Sequence, residues 1–246
     1  MKHILYLKKQ LCCIYLSNFF FGLRITDAVW VALLAARGFS LWEIGLAESV
    51  YHVVSLLCEV PSGMAADLLG RKKTLVTGGV LVVLSSLLMA FAPNLFFICA
   101  AMGLQALSNT MFSGTSAALT YDSLKQCGQE ERYLSVSANC SQIGMLANAL
   151  GSLASTLRQF LRFSGFYLLS ALFEGISTLA NALLEEPVVT GSQASRGSHS
   201  LRELPEQFVQ LVRDSIAALR GSPLAAKLIL AGAVISIPSY LTKMFL

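Results

Sequence analysis

The chain has few charged side chains. Only 13% of its 246 residues are Asp, Glu, Lys or Arg, whereas a soluble domain carries roughly 25%. This shortage of polar surface excludes an ordinary soluble enzyme, and a hydrophobic content of 55% excludes a disordered chain. The composition therefore predicts an integral membrane protein, with room for about seven or eight helices of roughly 20 apolar residues each.

Several chemical signatures are also missing. None of the six cysteines forms a C-x-x-C, so we interpret them as packing residues rather than metal ligands. The chain contains no G-x-x-x-x-G-K-[ST], no H-E-x-x-H and no nucleophile elbow, so we expect neither an ATP-driven pump nor an enzyme, and no cofactor. The net charge of +4 is too small to indicate nucleic-acid binding.

Seven apolar segments follow one another along the chain. Each is predicted to be a helix, because lipid leaves helices and closed barrels as the only spanning structures, and barrel-type alternation is absent. They cover residues 11–36, 42–66, 74–92, 95–124, 133–157, 163–184 and 224–245. The amino-terminal stretch 1–9, which has a basic character, is interpreted as the start of an uncleaved first helix rather than as a signal peptide.

Most of the 18 Lys and Arg residues fall on one side if the amino terminus is cytoplasmic. The sequence therefore predicts a multi-pass protein of the cell membrane with that orientation. A polar stretch at 188–222 is predicted to be a cytoplasmic linker between a six-helix unit at 1–187 and one further helix at 223–246. Residues 201–219 within it have helical apolar spacing, typical of either an amphipathic surface helix or an extension of the seventh segment.

One motif lies between the second and third segments. The residues from Gly63 to Lys73 fit the pattern G-x-x-x-D-x-x-G-R-[KR], with Asp67, Gly70, Arg71 and Lys72 at its defining positions. We expect the first glycine to allow close helix approach and the second to permit a tight turn. Asp67 is expected either to pair with Arg71 or to accept from a helix amino terminus.

These residues resemble the loop signature of the major facilitator superfamily. The preceding Glu59-Val-Pro-Ser-Gly63 and the stretch at 113–124 resemble one bacterial group of that family. The resemblance implies an all-α membrane fold of two six-helix halves, of which this chain would hold the first half, the linker and one helix of the second. In the family, the aspartate and arginine of the motif latch the two halves together, which implies that role for Asp67 and Arg71. Glu59 and Asp122 are interpreted as parts of the same gating network, with Asp122 near Lys125.

The resemblance implies a secondary active transporter of a small solute, coupled to an ion gradient and most simply to protons. Its partners would be the lipid bilayer, a small-molecule substrate and the missing second half, in the same or another chain. The alternatives are an inactive truncated fragment or a membrane scaffold. The fourth segment lacks the arginine of many exporters and the fifth lacks the proline of a G-P-x-x-G-G element, which disfavours drug–proton antiport.

A few ionisable residues fall at membrane depth, where charge is costly. They are candidates for a substrate or proton site, and they comprise Arg24, Asp27, Glu48, His52 and Glu174. Arg24 and Asp27 are spaced to neutralise each other, which leaves a structural pair as the alternative. Glu48 and His52 could share a proton on a polar stripe that also includes Glu59, or Glu48 could simply be solvated. No partner for Glu174 can be named from the sequence. Ala147 and Gly151 predict a tight helix contact in the fifth segment.

Overall fold

A computed structural model describes residues 2–27, 29–154 and 162–189, together with Arg213, Lys227, Ala231 and Gly232. The regular elements in these ranges are all helical, as the sequence predicts. The chain divides into two compact units, 1–199 and 200–246. The seventh predicted segment and the amphipathic stretch of the linker lie outside the described residues, apart from those four single positions.

The described residues of the first unit form eight helices and one short 3-10 turn. They are α1 (Lys2–Gly22), α2 (Trp30–Ala36), α3 (Leu41–Leu69), α4 (Arg71–Phe91), α5 (Leu95–Phe112), α6 (Thr115–Gln126), the turn Glu130–Arg132, α7 (Tyr133–Ala154) and α8 (Phe163–Ala182). Four stretches of the described chain are long and apolar enough to cross a membrane, namely α3, α4, α5 together with α6, and α8. The total of seven crossings stays a prediction.

Two predicted segments are interrupted. The first is not one helix, because α1 ends at Gly22 and α2 begins only at Trp30. Between them, Arg24 N donates to the Gly22 carbonyl at 2.8 Å and Ile25 N donates to the Leu23 carbonyl at 3.0 Å. Here, hydrogen bonds to the residue two positions earlier replace the bonds to the fourth residue earlier that an α-helix makes. The fourth segment breaks at Ser113 and Gly114, where Gly114 has a φ of +69°.

Small residues allow the helices to approach closely. A Cβ built on Gly79 of α4 would lie 2.3 Å from Thr178 Oγ1 of α8, and one built on Gly22 of α1 would lie 2.9 Å from Ala147 Cβ. A Cβ on Gly151 would lie 3.1 Å from Arg24 N, so α7 presses against the interruption after α1. The tight contact predicted for the fifth segment is thereby confirmed.

Polar contacts gather several helix ends at one end of the bundle, which we call the loop-motif end. There α1 begins, α3 and α6 end, α4 begins and α8 ends, and side chains join them: Tyr6 donates to Gln126, Lys9 pairs with Glu185 and Arg71 pairs with Asp122. The largest apolar core lies toward the opposite end, where Ile25, Leu34, Ile98 and Phe166 are almost completely buried. Consecutive crossings therefore run antiparallel.

Candidate functional site

Gly70 forms the whole connection between α3 and α4. Its φ is +103°, a backbone conformation that residues with side chains rarely adopt. A Cβ built on it would also lie 3.2 Å from the carboxyl group of Glu186. Gly63 and Asp67 lie in the last turns of α3, which continues to Leu69, three residues beyond the predicted second segment at 42–66. The motif is thus a helix end, one glycine and a helix start.

Arg71, the first residue of α4, makes a buried ion pair. Its Nη1 lies 2.5 Å from Asp122 Oδ2, and only 15% and 9% of the two side chains are exposed. The sequence places Asp122 beside Lys125, whereas the structure gives it Arg71 as an ion-pair partner. Such a charge-assisted contact is strong where water is scarce. The pair therefore ties the start of α4 to α6.

Glu186 binds the same helix start from the other side. Its carboxylate oxygens accept hydrogen bonds from the backbone amides of Arg71 at 2.8 Å and Lys72 at 2.7 Å. The first amides of a helix have no partner within the helix and carry its positive dipole end, so a carboxylate there is favourable. The sequence analysis missed this residue, although an acidic pair directly after an apolar segment was the available signal.

Its neighbour Glu185 is held by α1. Glu185 accepts from Lys9 Nζ at 2.8 Å, and its backbone carbonyl accepts from Gln10 Nε2 at 2.8 Å. The Glu185 amide donates to Gln10 Oε1 at 3.1 Å, and Gln10 Nε2 also lies 3.1 Å from Ser123 Oγ. Gln10 is almost fully buried. The residues after α8 are therefore bonded to α1 and α4, and Gln10 of α1 in turn contacts Ser123 of α6. We call Gly70, Arg71, Asp122 and Glu186 the loop-motif group.

Glu59 lies on α3 between the two ends of the bundle. Its Oε1 accepts a hydrogen bond of 2.6 Å from Ser113 Oγ, at the break between α5 and α6. One turn later, Ser62 Oγ donates to the Thr110 carbonyl at 3.0 Å. The polar face of α3 thus holds the carboxyl end of α5. The partner described for Glu59 is this break and not the motif turn that the sequence suggests.

Arg24 is the centre of a second group, inside the interruption after α1. Its Nη1 lies 3.3 Å from Asp27 Oδ2, and its Nη2 donates to Asn109 Oδ1 at 3.1 Å. The Asn109 amide then donates to the Tyr51 hydroxyl at 2.8 Å. The Arg24 guanidinium also lies 5.0 Å from the centre of the Phe21 ring. A third of the Arg24 side chain and 44% of Asp27 stay exposed, so both charges can meet a solute.

Glu174 lies midway along α8 and faces the same group. Ser86 of α4 faces its carboxyl group, and Arg24 and Asp27 are charged side chains that interact with it. Its Oε2 is buried without a hydrogen-bond partner among the described residues. We call Arg24, Asp27, Tyr51, Asn109 and Glu174 the mid-bundle group. The sequence does not single out Tyr51 and Asn109 as site residues, because neutral polar residues are common in apolar runs.

Glu48 and His52 are close to each other but lie more toward the surface. His52 Nε2 is 3.3 Å from Glu48 Oε1, with 48% of the histidine and 21% of the glutamate side chain exposed. The His52 ring meets the Tyr51 ring edge-on at 5.3 Å between centres. Tyr51 therefore contacts the His52 ring and, through Asn109, is linked to Arg24. Among the described residues, no group of three His, Cys, Asp or Glu side chains is arranged to hold a metal ion.

Comparison with known proteins places this architecture in a family. The family model described as Major Facilitator Superfamily matches residues 11–246. The chain belongs to the major facilitator superfamily. It is therefore a membrane protein of a transporter family. Two members of the loop-motif group, Gly70 and Arg71, belong to the motif by which the sequence resembles that family.

A curated relative supports the same family. The "Uncharacterized MFS-type transporter YxaM" of Bacillus subtilis (strain 168) is 28% identical over 94 residues. These residues are 38% of this chain and 24% of the relative, so the chain matches about a quarter of that protein's length. The match is to a facilitator by its printed name and identifies no solute.

Proposed function

We propose that this facilitator chain forms part of a secondary active transporter that moves a small solute by alternating access, driven by an ion gradient and most simply by protons. The observation that carries the proposal is the mid-bundle group. Arg24 and Asp27 pair where the first crossing is not helical, and both act electrostatically on Glu174. Ionisable residues at membrane depth cost a few kcal/mol on insertion scales and commonly mark substrate or ion pathways.

The geometry of this group favours solute exchange. Arg24 is held by Asp27 and Asn109, yet both charged side chains keep exposed surface. A solute with charged or hydrogen-bonding groups can replace one partner of Arg24 without leaving the guanidinium unpaired. Glu174, with its buried unpartnered oxygen, is the proton carrier we favour, and Glu48 with His52 forms a second candidate pair.

The loop-motif group would control access. Arg71, Asp122, Glu186 and Gly70 fix the start of α4 against α6 and the residues after α8. Asp67 and Lys72 lie on either side of this turn, where a second half would meet it. We propose that contact with that half, in the same or another chain, stabilises one conformation and that its loss permits rocking, with Glu59 holding the α5–α6 break. The protein would lie in the plasma membrane, and its loop-motif end would face the cytoplasm.

A transport assay tests this proposal. The protein expressed from its complete reading frame is reconstituted into vesicles that contain a pH-sensitive dye. A panel of sugars, amino acids and organic cations is then added with and without a pH gradient. We expect one class of solute to move protons, and Asp27→Asn and Arg24→Gln to abolish the signal. Arg132→Gln is the matched control, because this exposed arginine contacts only Gln129 among its described polar partners.

Two results would contradict the proposal. Solute uptake at the same rate with and without a pH gradient would contradict proton coupling. Uptake at the full rate in both variants would show that the mid-bundle group is not part of the solute site. Failure of folded, complete protein to move any solute in the panel would favour the inactive-fragment alternative.

A further inference from the structure

The face of α8 that carries Glu174 holds a row of polar residues. Ser170, Glu174, Ser177 and Asn181 follow at steps of four, three and four, which places them on one side of the helix. Ser170, Ser177 and Asn181 are each no more than 3% exposed. We call these four residues the α8 stripe.

The stripe concentrates buried polar atoms that lack partners. In the described part of the chain, four buried side-chain nitrogen or oxygen atoms make no hydrogen bond, and three of them are Ser170 Oγ, Glu174 Oε2 and Asn181 Nδ2. The fourth, Arg71 Nη1, lies in an ion pair. Buried polar atoms are normally satisfied by protein or by ordered water, and each unsatisfied one is unfavourable. Their clustering on one helix face indicates bound water.

A cavity at the loop-motif end of the stripe has room for it. Its volume is about 30 Å³, and its polar lining consists of Ser17, Asn18, Ser116 and Asn181. A buried water needs roughly 10–15 Å³ of such volume and two to four polar partners. The cavity satisfies both conditions.

A pair of hydroxyls lies between the cavity and the turn of α8 that carries Glu174. Ser177 Oγ lies 3.0 Å from Ser17 Oγ, and either hydroxyl can be the donor. Ser177 Oγ also donates to the Ser17 carbonyl at 3.0 Å. Ser17 lines the cavity and Ser177 is one helical turn from Glu174, and a hydroxyl that both donates and accepts can pass a proton along.

We propose that the α8 stripe is a hydrated proton path that links Glu174 to the loop-motif end through Asn181 and the Ser17–Ser177 pair. It rests on the proton coupling proposed above and supplies its route. A hydrated proton enters at the cavity, the hydroxyls relay it, and an O–H bond forms at Glu174 Oε2, which leaves water and a neutral carboxyl group. The charged and titratable groups that act on this carboxyl are Arg24, Asp27 and the buried Tyr167 of α8, and Ser86 of α4 is a hydrogen-bonding neighbour.

Infrared spectroscopy of the full chain in lipid vesicles tests the path. The band of the protonated Glu174 carboxyl is assigned by its loss in Glu174→Gln, and its exchange rate is followed after transfer to deuterated water. We expect Asn181→Leu to slow exchange about tenfold or more, because a buried water that loses a polar partner is strongly destabilised. Ser177→Ala, which removes less volume, is expected to act in the same direction should Asn181→Leu fold poorly.

Thr178→Val is the matched control. Its hydroxyl already donates to the Glu174 carbonyl, so its removal changes polarity on α8 without breaking the path. Unchanged exchange in Asn181→Leu and Ser177→Ala, equal slowing in Thr178→Val, or no protonated Glu174 band at any pH would overturn the path. Coupling in the transport assay is a separate readout. Gradient-independent transport with stripe-dependent exchange would overturn the proposed function and leave the path standing.

Discussion

Two ion pairs at the loop-motif end differ in burial, and burial decides what each contributes to stability. Arg71 and Asp122 are almost enclosed, whereas about half of each side chain in the Lys9–Glu185 pair is exposed. Removal of one partner from a buried pair leaves an uncompensated charge and costs about 3–5 kcal/mol. An exposed pair contributes little to stability, because water and salt screen it.

We therefore expect Asp122→Asn to lower the melting temperature of the purified protein clearly, while Lys9→Gln changes it little. Thermal unfolding in one detergent, followed by intrinsic fluorescence, measures both variants side by side. A small shift for Asp122→Asn, comparable to that of Lys9→Gln, would mean that the Arg71 charge is well solvated without its partner.

The two glycines of the motif differ in backbone conformation and in surroundings. Gly70 has a φ of +103°, and a Cβ built on it would lie 3.2 Å from the Glu186 carboxyl group, whereas a Cβ at Gly63 would meet nothing within 4 Å among the described residues. We expect Gly70→Ala to destabilise the protein by about 1 kcal/mol or more. Gly63→Ala should be neutral or slightly stabilising in the same unfolding assay, because Gly63 lies in a helix.

This comparison also bears on the sequence interpretation. The described chain gives Gly63 no close helix neighbour, so the close approach expected there is not found in this unit. A loss of transport in Gly63→Ala without loss of stability would indicate a neighbour outside the described residues. Equal destabilisation by both substitutions would contradict the assignment of Gly70 as the turn.

The amino-terminal turn of α4 is stabilised from outside the helix. The N-cap residue, Gly70, has no side chain that could cap the helix. The Arg71 and Lys72 amides donate instead to the carboxylate of Glu186. We expect Glu186→Gln to weaken both bonds and to speed hydrogen exchange at these two amides severalfold, with little change farther along α4. Hydrogen-exchange mass spectrometry or NMR measures the effect.

Glu185→Gln is the control for that experiment. The Glu185 carboxylate pairs with Lys9, and its backbone rather than its side chain holds Gln10. Its substitution should leave exchange at Arg71 and Lys72 unchanged. Equal exchange in both variants would show that the α4 start does not depend on the Glu186 charge.

The described helices of the first unit have two unlike ends. The turn at Gly128 between α6 and α7 lies at the loop-motif end, and Pro93 lies between α4 and α5 at the other end. We expect a green fluorescent protein fused after Gly128 to fluoresce in the cytoplasm. Alkaline phosphatase fused after Pro93 should be active outside. The reverse pattern would contradict a cytoplasmic loop-motif end.

Hydropathy predicts where most helices of the molecule lie, because lipid imposes long apolar runs. It does not predict the interruptions after Gly22 and at Gly114, since a break in hydrogen bonding leaves hydropathy unchanged. The motif identified Gly70 and Arg71, but the partner Asp122 lies 51 positions away and only the fold brings it near. Neutral residues such as Asn109 carry no periodic or charge signal, so their roles emerge only from geometry.

The anchoring of the residues after α8 has a practical consequence for protein engineering. Glu185 and Glu186 are bonded to two different helices, α1 and α4, so the chain that leaves α8 is held at its first residues. A reporter domain inserted between Leu184 and Glu186 should abolish folding, whereas the same insertion after Val189 should be tolerated. Expression yield and monodispersity of the two insertion variants would distinguish a fixed attachment point from an ordinary flexible spacer.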